Sequence, residues 1–112
     1  MTTALLLPQP AADSLPRGLL IETRYVGATD TKCSRIVATC RRDSDTTFRA
    51  SVPYDDSHGQ LDAHYRAALA CLLKIEAQNE YFAFQIQAVG NCAHGYAFIT
   101  DTHPRSGVGY WA

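Results

Sequence analysis

Between Leu19 and Tyr54 apolar and polar residues alternate, and in an extended chain residues two apart share a face. Over Ser34–Arg42, Ile36, Ala38 and Cys40 fall on one side, with Arg35, Val37, Thr39 and Arg41 on the other. Over Thr46–Tyr54, Phe48, Ala50, Val52 and Tyr54 oppose Thr47, Arg49 and Ser51. Leu19–Val26 supplies a preceding strand, Ile21 and Tyr25 facing in and Glu22 and Arg24 facing out. The polar run Arg42-Asp43-Ser44-Asp45 suits a hairpin loop, so an antiparallel meander with one solvated face is predicted.

After this the period changes. Leu61, Tyr65, Ala68, Leu72 and Ile75, with Leu69 and Leu73 beside them, recur at helical spacing and predict an amphipathic helix over Leu61–Ala77. Ser57-His58-Gly59-Gln60 has the Ser-x-x-Gln form of a capping box, weakened by Gly59 in the first turn, and Lys74 suits the negative end of the helix dipole. The helix is expected to bury Tyr65, Leu69, Leu72 and Leu73 against Ile36, Phe48, Val52 and Phe84. Tyr81–Val89 reads as a fourth strand, Gly90-Asn91 as a turn, and Gly95–Thr100 as a fifth strand with Tyr96 and Phe98 on one side. The expected fold class is α+β, an antiparallel sheet of about five strands in the order β-β-β-α-β-β with one helix packed on one face.

With 112 residues, 46% of them hydrophobic, the chain suits one domain: an arm over 1–18, the α+β domain over 19–101 and a tail over 102–112. A net charge of −1 argues against non-specific coating of nucleic acid. The charge is uneven, however, since six of the ten Lys and Arg residues lie from Arg24 to Arg49 and Asp55, Asp56, Asp62, Glu76 and Glu80 follow. Leu5-Leu6-Leu7 has no basic residue ahead of it and is interrupted by Pro8, Pro10 and Pro16, so no secretory signal is expected, and no apolar run reaches the length of a membrane span. Cys33, Cys40, Cys71 and Cys92 form no C-x-x-C pair, the pattern of reduced thiols in a cytoplasmic protein. Without paired ligand spacing, a zinc site drawn from these and from His58, His64, His94 and His103 is disfavoured, as is a thiol nucleophile with a distant histidine. No catalytic signature occurs, so a non-enzymatic protein without metal or cofactor is expected.

The candidate partner-binding residues are Arg24, Arg35, Arg41 and Arg49 on the solvated sheet face, Lys32 at its edge, and Tyr110 and Trp111 in the tail. Opposed charges orient a partner and aromatics anchor it; the two tail aromatics suit docking on the domain or on a twin subunit as well. A competing site is the loop bearing Thr29, Thr31, Lys32, Ser34 and Arg35, whose hydroxyl and cationic donors suit a phosphate or a nucleic-acid backbone. It lacks the Walker pattern, and the same residue types satisfy turns and solvate exposed strands.

Ile21-Glu22-Thr23-Arg24-Tyr25, Thr29-Asp30-Thr31-Lys32-Cys33-Ser34-Arg35-Ile36-Val37-Ala38, Ser51-Val52-Pro53-Tyr54-Asp55 and His64-Tyr65-Arg66-Ala67-Ala68 together carry a resemblance. They are similar to a family of small proteins encoded by bacteriophages and conjugative plasmids. That family's pattern runs Thr-x-Thr-Lys-Gly-Ser-Arg-Ile-Lys-Ala, then Val-x-Ile-Pro-Tyr, a helix beginning near a His, and Gly-Tyr-x-Phe, which Gly95-Tyr96-Ala97-Phe98 resembles. The resemblance covers about Leu20 to Thr100; Cys33 stands where the pattern has Gly, and Val37 where it has Lys. It implies a mobile-element accessory protein that binds and disables a host defence complex, as anti-CRISPR and anti-restriction proteins do.

Overall fold

The computed structural model describes residues 5–15, 17–41, 46–54, 59–78 and 81–104. The alternation in the first half of the chain produces strands β1 (Leu20–Val26), β2 (Arg35–Arg41) and β3 (Thr47–Pro53), which pair as the antiparallel meander their patterns predict. Helix α1 (Gln60–Ala77) follows, then β4 (Phe82–Cys92) and β5 (Gly95–Pro104). The last strand returns beside the first, with Leu20 opposite Ile99 and Ile21 opposite Phe98, giving a single five-stranded sheet in the order β3-β2-β1-β5-β4. The fold is therefore α+β, with α1 on one face and the other face bare.

Two glycines permit the close approaches that join the halves of the sheet. A Cβ on Gly18 would run into the Thr100 carbonyl, and one on Gly95 into the Thr23 carbonyl. Beside Gly18, the Thr100 amide donates to the Leu19 carbonyl at 2.9 Å and the Leu19 amide donates to the Thr100 hydroxyl at 2.8 Å, so this buried threonine is satisfied.

The core lies between α1 and the first strands, but the helix meets the sheet through a different face from the one its leucines suggest. Ala63, His64, Ala67, Ala68, Cys71, Leu72 and Ile75 are buried against Ile21, Ile36, Ala38, Cys40, Ala50 and Phe98. Tyr65, Leu69 and Leu73, expected in the core, are exposed, as is Leu61, whereas Ala68, Leu72 and Ile75 of the predicted stripe are buried and face the expected Ile36, with Phe48, Val52 and Phe84 partly buried beside it. The reason is steric: alanines let the helix backbone approach the sheet more closely than leucines would, and a helix turned to use them carries its leucine stripe to the flank. Two polar bonds fix the rotation, since Lys74 Nζ donates to the Arg49 carbonyl at 2.8 Å and the Phe84 amide to Glu76 Oε1 at 3.2 Å. Tyr25 faces inward but sits half exposed at the sheet end, its ring edge-on to Tyr54 with centroids 5.2 Å apart.

Boundaries also shift. Gly59, with φ of 85°, is the helix N-cap and no side chain caps that end, while Ser57 and the loop 42–45 lie outside the described residues. Gly90 and Asn91 do not turn: β4 continues through them to Cys92, and Ala93 and His94 make the hairpin. The expected turn fails because Gly90 is an ordinary ladder residue opposite Ala97. The last strand runs to Pro104, beyond the expected end at Thr100, so Thr102 and His103 belong to the sheet and not to the tail. No helix is long and apolar enough to cross a membrane among the described residues.

This seam sets opposite expectations for two substitutions. Leu72→Ala should lose about 2–5 kcal/mol as a buried cavity opens. Ala67→Leu, which adds volume where the helix is closest, should lose about 1–3 kcal/mol although it raises hydrophobicity. Urea unfolding of both variants decides; a stabilised Ala67→Leu protein would refute the close approach.

Candidate functional site: a basic groove on the bare sheet face

Residues of β1–β3 that do not face α1 form the floor of the bare face, and the register places their charges. Arg49 on β3 lies opposite Thr39 on β2, which lies opposite Glu22 on β1. Arg24 is two residues beyond Glu22 and opposite Val37, while Arg41 is two residues beyond Thr39 on β2. Arg24, Arg41 and Arg49, all exposed, thereby ring Glu22 and Thr39. They line a groove of about 440 Å³ closed at one end by the β4–β5 hairpin, where Cys92 and His94 complete the wall. A hollow of about 210 Å³ between Leu20, Glu22, Thr39 and Arg41 adjoins it. The outer face has no Phe, Tyr or Trp among its described residues.

The structure thus brings together three of the four arginines picked from sequence. Arg35 points to the same side but lies at the far end of β2, opposite Val26 and Pro53, and it is half buried. Its Nη1 is buried without a hydrogen-bond partner among the described residues, so Arg35 is not the solvated charge the alternation implied. Lys32 is exposed on the β1–β2 loop and does not line the groove. Tyr110 and Trp111 lie outside the described residues.

The candidate phosphate loop is largely spent on its own turn. The Thr29 amide donates to the Lys32 carbonyl at 2.8 Å, and the Lys32 amide donates to the Thr29 hydroxyl at 3.1 Å. The Ser34 carbonyl accepts from the Tyr54 amide at 3.1 Å and extends the β2–β3 ladder, which leaves Thr31 and Lys32 as the exposed donors.

Under the helix is a polar group that sequence reasoning treated only as a metal candidate. His64 is buried at the seam, its Nδ1 2.8 Å from the buried Thr23 hydroxyl and its ring edge-on to Tyr96 at 4.9 Å. Burial holds its pKa below the ordinary 6.5, so the ring is neutral in the folded protein at neutral pH. Its position in line with Ala68, Cys71 and Ile75 at helical spacing was the available signal. Burial likewise pushes the Cys71 thiol up to about 11, helped by the neighbouring Cys40. Cys71 donates weakly to the Phe48 carbonyl at 3.6 Å and acts as a packing residue. No group of three or more His, Cys, Asp or Glu that could hold a metal occurs among the described residues.

Neither a protein-family model, a curated protein nor a solved structure matches the chain. The reading of the site therefore rests on its geometry.

His64 gives the protein an acid sensitivity of defined sign. The unfolded chain takes up a proton at this side chain near pH 6.5, whereas the folded chain does so only at lower pH. Its contribution to stability is full above pH 6.5 and declines as pH falls below it, by at most about 1.4 kcal/mol per unit, until the buried ring is itself protonated. Denaturation midpoints between pH 7 and 5 should fall less steeply for His64→Gln than for the parent; equal slopes would show that His64 titrates alike in both states.

Proposed function

We propose that the protein is a non-catalytic binder whose bare sheet face docks an acidic surface of a partner protein, and that the partner is a bacterial host defence complex. The observation that carries this reading is the ring of Arg24, Arg41 and Arg49 in one open groove on the sheet, with Glu22 the only carboxylate lining it among the described residues. Three forked donors held on adjacent strands suit carboxylates, and a positive patch of this kind speeds encounter and sets orientation. The host-defence partner, inhibited in the manner of an anti-CRISPR or anti-restriction protein, follows from the resemblance to phage and plasmid accessory proteins.

Protein is favoured over nucleic acid by what the face lacks. Sheet-face readers of single strands stack bases on aromatic side chains, and this face offers none among its described residues. The Thr29–Arg35 loop, the alternative phosphate site, contributes nothing to the groove lining and uses its Thr29 hydroxyl internally.

Affinity capture from nuclease-treated host lysate tests this. The parent should recover an acidic protein complex in a salt-sensitive manner. The doubly reversed Arg41→Glu/Arg49→Glu protein should lose it by at least about tenfold while keeping its circular dichroism, because both side chains are exposed. Glu22→Gln, which removes the one repelling carboxylate, should recover more. Unchanged recovery by the doubly reversed protein would refute the proposal, and salt-sensitive recovery of DNA or RNA in place of protein would transfer the face to the phosphate reading.

A further inference from the structure

Five strands about 4.8 Å apart make a sheet about 20 Å wide, whereas one helix with its side chains covers about 10 Å. Helix α1 packs closest on β3 and β2, less on β1, and least on β5 and β4. The helix side of β4 is consequently bare, with Val89 46% and Phe82 39% exposed. On α1, Leu61, Tyr65, Leu69 and Leu73 form a stripe of i, i+4 neighbours, exposed by 38% at Tyr65 and 71% at Leu73. Between stripe and strand runs an open groove of about 630 Å³, its apolar walls made by Leu61, Tyr65, Ile86, Val89 and Phe98.

This surface has almost no charge with which to choose a charged partner. From Phe82 to Cys92 the strand contains no Asp, Glu, Lys, Arg or Pro. The charged side chains of α1 are engaged within the chain: Asp62 with Arg66 at 3.1 Å, Lys74 with the Arg49 carbonyl, and Glu76 with the Phe84 amide. An uncharged surface meets a copy of itself without like-charge repulsion.

We propose that this face is a homodimer interface, in which the Leu69 and Leu73 side of α1 from each copy seats in the α1–β4 groove of the other. The chain carries both halves of the contact, an open apolar groove and a helix stripe that no other described residue covers. A two-fold arrangement satisfies both in both copies, whereas a head-to-tail one leaves one half open at each end and polymerises. The area is sufficient. The 11-residue strand β4 offers about 35 by 5 Å, and one flank of an 18-residue helix about 27 by 10 Å. Together these approach 500 Å² per copy, roughly the 1,000 Å² total that a specific interface requires. The basic groove lies on the opposite side of the sheet, so the dimer presents it twice, facing outward.

Sedimentation equilibrium of the full chain at micromolar concentration tests the proposal independently of any partner. The parent should have twice the 12.3 kDa chain mass. Leu73→Glu and Val89→Glu, each at an exposed position on one half of the contact, should each give the monomer mass with unchanged circular dichroism. Ile99→Glu, on the other side of the sheet, should leave the dimer intact. A monomeric parent, a dimer that survives both groove-side changes, or a dimer dissociated by Ile99→Glu alone would each overturn the proposal. None of these results alters the test of the basic face, whose readout is capture by a different surface.

Discussion

The closeness of α1 to the sheet is the constraint from which most of this structure follows. Ala63, Ala67 and Ala68 bring the helix down onto β1–β3, and a longer side chain at any of these three positions could not be accommodated at the same separation. One close contact thereby settles three things: which residues form the core, which leucines remain outside it, and how much of the sheet a single helix can cover. A helix seated on Leu69 and Leu73 would stand higher and rotate over β5, and the apolar flank would disappear into the interior.

A thin, alanine-rich seam contributes less apolar burial per residue than a leucine-rich one, and the structure adds polar fastenings around it. His64 and Thr23 satisfy each other at its centre, while Lys74 and Glu76 tie the helix to backbone groups of the two edge strands. Such bonds are individually modest, but they are directional, and they select one helix rotation where apolar contact alone would tolerate several.

The fold class was legible in the sequence because its strongest signals are periodic and local. The faces of β1–β3 follow from alternation alone, and so does the siting of Arg24, Arg41 and Arg49 on one side. The helix rotation was legible only in part: Ala68, Leu72 and Ile75 of the expected stripe are buried, and Leu61 and Tyr65 are not. Two stripes compete on α1, and counting large residues favours Leu69 and Leu73 over the line His64, Ala68, Cys71 and Ile75, although backbone proximity rewards the smaller set. The burial of Arg35 was hidden for a related reason: alternation assigns a side but not a depth, and on the outer side of β2 enclosure is greatest at Val37 and intermediate at Arg35, while Arg41 at the other end is exposed. The wall made by Cys92 and His94 depends on β5 returning beside β1, a long-range pairing that no local pattern encodes.

The register irregularity in β4 carries one more consequence. Ile86 faces Thr100 and Ala88 faces Ile99, so Gln87 is an extra residue that reverses the alternation downstream. Because of it, Val89 and Asn91 lie on the helix side while Ala88, Gly90 and Cys92 lie on the outer side. Were Gln87 instead drawn into regular pairing opposite Ile99, the two sets would exchange, sending a valine among the arginines and a glycine and a cysteine beneath Tyr65. The identity of both surfaces of this sheet thus rests on where the ladder absorbs one residue: deleting Gln87 would keep Ile86 opposite Thr100 and Ala88 opposite Ile99, whereas a one-residue slip of the strand beyond it would rewrite both surfaces at once.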